Sequence, residues 1–165
     1  TLGYLENMSA EYIQERLSTF DGVKRRYTVK TVGNNIYVDD YAHHPTAIRY
    51  VIEATRSRYP HKKIVAVFQP DRFSRGLRFA KEFAEAMDLA DYPFFVHFPE
   101  NAKKEPGIDI DIYDIAKYNP RAQVIHEDEA AVKLLSQYDN VVYLFMSSKD
   151  IYKLEDQVIA YKQSQ

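Results

Sequence analysis

Three short stretches of this chain hold side chains able to do chemistry. The first, Asp39-Asp40-Tyr41-Ala42-His43-His44-Pro45-Thr46, packs two carboxylates, a tyrosine and two histidines into a seam between a strand and a helix. The apolar run Ile36, Tyr37, Val38 leads in, and Pro45 suits a first helical position ahead of Ile48, Val51, Ile52 and Thr55 at helical spacing. Open α/β sheets collect ligands at such seams. The second stretch, Gly22 to Tyr27 (GVKRRY), brings adjacent arginines into a strand, whose alternation sends one toward the site and the other to solvent. A guanidinium fork matches phosphate or carboxylate, although an edge strand kept soluble by charge explains the same pair without a ligand. The third, Phe68 to Arg75 (FQPDRFSR), follows a buried strand that Pro70 stops, and puts Arg72 and Arg75 where sheet ligands collect. Two such arginines propose an anionic substrate, or else Arg75 and Arg78 decorate an exposed helix face.

The histidines point to hydrogen bonding rather than metal. His43 and His44 precede Pro45, and the positive end of a helix dipole disfavours a protonated ring there. Their spacing matches no zinc pattern. His61, His97 and His126 read as surface or packing residues.

The elements that must position these groups alternate between strand and helix. Ser9 suits the cap of a short helix with Ile13, Leu17 and Phe20 on one face and Gly22 at its end. Arg26–Val32 and Ile36–Asp40 are β-rich runs separated by Gly33-Asn34-Asn35, which is hairpin chemistry. After the helix at Pro45, Lys63–Gln69 is a nearly continuous apolar strand of the kind buried on both faces. A helix then carries Phe79, Ala80, Phe83, Ala84 and Met87 on one side; Phe94–Phe98 is a strand, and Ile110–Tyr118 a short helix. Gln123–His126 leads as a strand into a helix with Ala130, Ala131, Leu134 and Leu135; Asn140–Met146 is the last buried strand, and Ile151, Leu154, Val158 and Tyr161 stripe the final helix. Asn101–Gly107 is the most loop-like segment. This order predicts an α/β domain: a mostly parallel sheet of about six strands, an antiparallel edge hairpin, and helices on both faces.

Composition narrows the function classes. At 165 residues the chain fits one domain, residues 1–165, able to bury roughly 70% of its unfolded surface. With no Cys, disulfides, thiolate zinc sites and thiol nucleophiles drop out, and a cytoplasmic location is compatible. The net charge of −2 carries no basic excess of the kind that drives nucleic-acid binding; positive charge is local, at Lys24, Arg25, Arg26 and Lys30 and at Arg72, Arg75, Arg78 and Lys81. No apolar run approaches the ~20 residues of a membrane helix, so no membrane partner is expected. There is neither a phosphate loop nor a Gly-x-Gly-x-x-Gly turn among only five glycines, and the first segment opens mid-pattern, as in a piece of something longer.

Taken in order, GVKRRY, VDDYAHHPTAI, VAVFQPDRFSR and VVYLFMSSKDI resemble the C-terminal domain of a Mur ligase over nearly the whole chain. The resemblance implies a Rossmann-like domain, third of three, that closes over an ATP site. A central domain outside this sequence would carry the phosphate loop and most of the contacts to ATP and Mg2+, and would touch this domain intramolecularly. The branch nearest in these motifs is a peptidoglycan-precursor ligase joining L-alanine to UDP-N-acetylmuramate through an acyl phosphate, chemistry that asks this domain for positioning and charge neutralisation rather than a nucleophile. By resemblance, Arg26 approaches the γ-phosphate and Asp40 the nucleotide ribose. Tyr41 and His43 line the amino-acid side, and Arg72 and Arg75 hold the amino acid's carboxylate. No residue of this chain is assigned as catalytic. Asp71 stands where the family usually has His, and Ser147-Ser148-Lys149-Asp150-Ile151 where it usually has a glycine-containing ending. A murein tripeptide ligase domain, or a non-catalytic domain binding a nucleotide or partner, stays open beside the alanine ligase. These 165 residues by themselves are expected to show no ligase activity.

Overall fold

The structure is a computed structural model that describes residues 9–18, 25–102 and 105–165, with the side chains of 16–18 left out. Helix α1 spans Ala10–Ser18, and the Ser9 hydroxyl accepts from the Tyr12 amide at 3.1 Å, as a cap does. The Leu17 side chain, Phe20, Gly22, Lys24, Lys103 and Lys104 lie outside the described residues.

The edge hairpin pairs β1 (Thr28–Val32) with β2 (Asn35–Asp40) in antiparallel register, Thr28 opposite Asp39 and Val32 opposite Asn35. Gly33 turns the hairpin at φ 58°, a left-handed conformation that costs a glycine little. The first strand starts later than expected, at Thr28 rather than Arg26. Arg25 and Tyr27 both take positive φ, 60° and 53°, which no strand accommodates, so alternation does not apply to the arginine pair.

Downstream come α2 (Pro45–Arg58), β3 (Lys63–Phe68), α3 (Phe73–Arg78), α4 (Ala80–Met87), β4 (Tyr92–Val96), α5 (Tyr113–Ala116), β5 (Gln123–Ile125), α6 (Glu129–Leu135), β6 (Val141–Met146) and α7 (Tyr152–Gln163). The helix expected around Phe79 is preceded by a separate one. Phe79 breaks the line at φ −121° and ψ 25°, with its ring edge-on to His44 at 4.9 Å. No helix among the described residues is long and apolar enough to cross a membrane.

The six strands lie in the order β1-β2-β6-β3-β4-β5, and every pairing after the hairpin is parallel. The last strand in sequence is therefore a central one, between β2 and β3. Alternation splits the core into two layers. Ile36, Val38, Ala66, Phe68 and Leu144 pack with Ile48 and Ile52 of α2, Phe83 and Met87 of α4, and Ile115 of α5. On the other face Tyr37, Val65, Val67, Tyr143 and Phe145 pack with Val132 and Leu135 of α6 and with Leu154 and Val158 of α7. The sheet is thus covered on both faces, as expected.

Candidate functional site

The carboxyl ends of β2, β6 and β3 lie side by side, with Met146 opposite both Asp40 and Phe68. Backbone bonds lace the loops that leave them: the Ser147 amide donates to the Asp40 carbonyl at 3.2 Å, and the Gln69 amide to the Met146 carbonyl at 3.1 Å. The chain from β2 and β3 turns toward the α2 and α4 face, while that from β6 turns to the α7 face. Loops that part in this way open a crevice at the sheet edge.

Asp39 and Asp40 sit on opposite faces of β2 and do different work. Asp40, 7% exposed, accepts from the Tyr27 amide at 2.8 Å and the Ala42 amide at 2.7 Å, one on each oxygen. It thereby ties the 25–27 turn to the loop after β2, helped by the Tyr41 amide donating to the Arg25 carbonyl at 2.8 Å. Asp39, on the α7 face, takes the Arg25 Nε at 3.3 Å, and burial outweighs that guanidinium, pushing the Asp39 carboxyl above its usual range.

The arginine pair divides, though through a turn rather than a strand. Arg25 is committed to the fold, with its Nη2 donating to the Ser147 carbonyl at 2.7 Å. Arg26 is exposed, and its guanidinium lies 5.1 Å from the centre of the Tyr41 ring; Arg25 approaches the same ring at 5.7 Å. Of the two, only Arg26 makes no ion pair among the described residues.

His43 stands edge-on to Tyr41 at 5.0 Å, and its Nδ1 lies 2.7 Å from the Tyr41 carbonyl oxygen. A carbonyl only accepts, so Nδ1 carries the hydrogen and a neutral ring keeps Nε2 as an acceptor. His44 caps α2, its Nδ1 accepting from the Thr46 amide at 3.4 Å. Helix α3, which follows β3, joins this strip through Arg75, whose Nη1 donates to the His43 carbonyl at 3.4 Å and to Asp71 Oδ1 at 2.9 Å. The other oxygen of Asp71 accepts from the Ser148 hydroxyl at 2.6 Å. Arg72 is the N-cap residue of α3, and its buried Nε has no hydrogen-bond partner among the described residues.

Arg26, Asp40, Tyr41, His43 and Arg75 thus fall along one connected strip, with Arg72 at the N-cap of the helix that carries Arg75. Among the described residues, no three His, Asp or Glu side chains are grouped to hold a metal ion.

A second cleft, of about 530 Å³, opens at the carboxyl ends of β4 and β5 and is lined by Gln69, His97, Phe98, His126, Glu127 and Lys149 among others. The His97 and His126 rings stack at 3.8 Å and 8°. Burial, with His126 beside it, pushes His97 below its ordinary value, against a smaller upward pull from Asp111. Gln69, 1% exposed, pins the wall by donating to the His97 carbonyl at 3.1 Å and to Glu127 Oε2 at 2.8 Å. The sequence reads these histidines as surface or packing residues. The available signal was position: each directly follows the last residue of a strand.

Residues 25–148 match the family model described as the Mur ligase, glutamate ligase domain. Among solved structures, the UDP-N-acetylmuramate-alanine ligase MurC of Thermotoga maritima is 25% identical with a TM-score of 0.74, over 99% of this chain and 35% of that one. MurF ligase of Thermotoga maritima, in complex with ADP, is 20% identical with a TM-score of 0.72, over 99% and 36%. The murein peptide ligase of Psychrobacter arcticus is 20% identical with a TM-score of 0.70, over 92% and 32%. The chain therefore spans between 32% and 36% of the length of these three proteins.

Proposed function

Because the chain belongs to the Mur ligase family, as its glutamate ligase domain, we propose that it is the C-terminal domain of an ATP-dependent ligase that forms an amide bond on a UDP-N-acetylmuramate-type precursor. The observation that carries this reading is the strip from Arg26 through Tyr41 and His43 to Arg75, assembled at the carboxyl ends of three adjacent strands with an exposed guanidinium at one end.

In this reaction a carboxylate oxygen attacks the γ-phosphorus of ATP and ADP leaves. An amine then attacks the acyl carbon, phosphate departs, and the amine gives up a proton. Negative charge grows on phosphoryl and tetrahedral oxygens, so cations fixed in advance lower both barriers. Arg26 is the proposed phosphate contact, held over Tyr41 but free of any ion pair among the described residues. Asp40 has both oxygens on backbone amides; it holds the loop in place, and a ribose hydroxyl would reach it as a third donor. Tyr41 and His43 line the acceptor side, where the free Nε2 of a neutral His43 can take a hydrogen bond from the incoming amine. The segment after β3 that carries Arg72 and Arg75 is the proposed place of the acceptor's carboxylate. ATP and Mg2+ would be held largely by another domain, since this sequence has no phosphate loop.

L-alanine is the proposed acceptor, with a wall-peptide acceptor of the murein peptide ligase kind as the nearest variant. A second reading, a non-catalytic domain binding a nucleotide or partner, is favoured by Asp71, whose carboxylate already occupies Arg75. The deciding measurement uses the full-length protein with ATP, Mg2+, UDP-N-acetylmuramate and a panel of amino acids and wall peptides, reading ADP release and the amide product by mass. Acceptor-dependent turnover that Arg26→Ala depresses supports the ligase. ATP binding with no turnover on any acceptor supports the second reading.

A further inference from the structure

Asp71, after β3, and Ser148, after β6, meet in space: the Ser148 hydroxyl donates to Asp71 Oδ2 at 2.6 Å across 77 positions of sequence. The other Asp71 oxygen holds the Arg75 guanidinium at 2.9 Å, with both side chains mostly buried at 14% and 22% exposure. Arg72, the N-cap residue of the helix that carries Arg75, makes no ion pair among the described residues and keeps a buried Nε without a partner there. Two arginines here are therefore not two anion sites. One already has its carboxylate, supplied by the protein.

We propose that Asp71 determines acceptor specificity: its carboxylate, steadied by Ser148, occupies Arg75, so that of the two arginines after β3 Arg72 alone takes the acceptor's carboxylate, and the site selects amino acids with one carboxylate over those with two. This rests on the reading of the β3 loop as the acceptor site. A second acceptor carboxylate meets Asp71 instead of a free guanidinium, and like charges at contact distance in a partly buried site repel by enough for on the order of tenfold discrimination. Ser148 is a positioning residue, holding the Asp71 carboxylate between the β3 and β6 loops.

The test follows the arginine Nε–H NMR signals of this chain while L-alanine or L-glutamate is titrated to high millimolar concentration. Wild type should show the Arg72 signal moving with alanine, the Arg75 signal still, and glutamate binding no tighter than alanine. Asp71→Asn should free Arg75, so that glutamate moves both signals and its affinity relative to alanine rises about tenfold. Asp71→Ser removes the same charge with less bulk and should act alike if the first variant folds poorly. Ser148→Ala keeps the Arg75 pair but frees the other Asp71 oxygen, and should weaken the preference for alanine by less than either Asp71 variant does. An unchanged glutamate-to-alanine ratio in both Asp71 variants overturns the proposal, as does movement of neither arginine with either amino acid. Turnover by the full-length protein is a separate readout, so failure of the ligase reading is distinguishable from failure of this one.

Discussion

The Arg25 guanidinium bridges two loops far apart in sequence, donating from Nη2 to the carbonyl of Ser147 at 2.7 Å while its Nε holds Asp39. Its neighbour Arg26 makes no such link and lies exposed over the Tyr41 ring. One arginine of the pair is tied into the fold, and the other is the proposed phosphate contact.

Arg25→Ala should therefore destabilise by about 2 kcal/mol, since it strips a buried carboxylate and a carbonyl of their donor. Arg26→Ala should stay within ~0.5 kcal/mol of wild type yet depress ATP turnover of the full-length protein by about 100-fold. Urea unfolding and steady-state ADP release separate the two. Equal stability losses would remove the division of labour.

Glu155 of α7 is fully buried, 3.0 Å from the half-exposed Lys30, without hydrogen-bond geometry on either of its oxygens. Burial outweighs Lys30 and pushes the Glu155 carboxyl up, in the same direction as Asp39. The native state then holds these protons more tightly than the unfolded chain. Stability is fullest below the unfolded carboxylate pKa of about 4 and falls as pH rises through the folded values. Glu155→Gln should flatten that fall and leave neutral-pH stability equal or higher. Urea midpoints from pH ~4 to ~8 check it, and a slope unchanged in the variant would refute it.

His97 should titrate below the ordinary histidine value of about 6.5, and its neutral form contributes stability that is lost as pH falls from there through the folded pKa. Because His126 is one of the groups that lower it, His126→Asn should move the His97 titration upward. Ring-proton NMR shifts against pH report both. A downward move in the variant would contradict the stacked geometry.

Gly76 is the point where α3 presses on the loop after β4. A Cβ there would meet the Phe98 ring at 2.9 Å and Ile115 at 3.4 Å, and Phe98 is itself stacked on Phe73 at 4.4 Å. Gly76→Ala should cost roughly 1–3 kcal/mol through overpacking, and Phe98→Leu should restore part of it in the double variant. Additive losses would show that the two residues do not press on each other.

Strands such as Lys63–Phe68 and Val141–Met146 were legible because burial on both faces demands an unbroken apolar run, and α2 because Pro45 and its apolar stripe agree. The 25–27 turn was not legible. Two non-glycine residues at positive φ carry no signature, and what holds them there, Asp40 and Thr28, acts through hydrogen bonds within the fold. At the site, residue types were readable but partners were not. The sequence placed Arg72 and Arg75 together as anion binders, whereas the Ser148 that completes the Asp71 bridge arrives from 77 positions away. The His97 and His126 stack was hidden for the same reason, since only the parallel pairing of β4 with β5 brings them side by side.

The position of β6 also makes the last strand in sequence the joint of the sheet. Ile36 of β2 and Ile64 of β3 both pair with Val142, and no pairing joins β2 to β3 directly. Without Val141–Met146 in place, the hairpin and the three strands β3, β4 and β5 share no ladder and cannot form one sheet. The proposed site depends on the same joint, because the strand that joins the halves runs directly into Ser147 and Ser148.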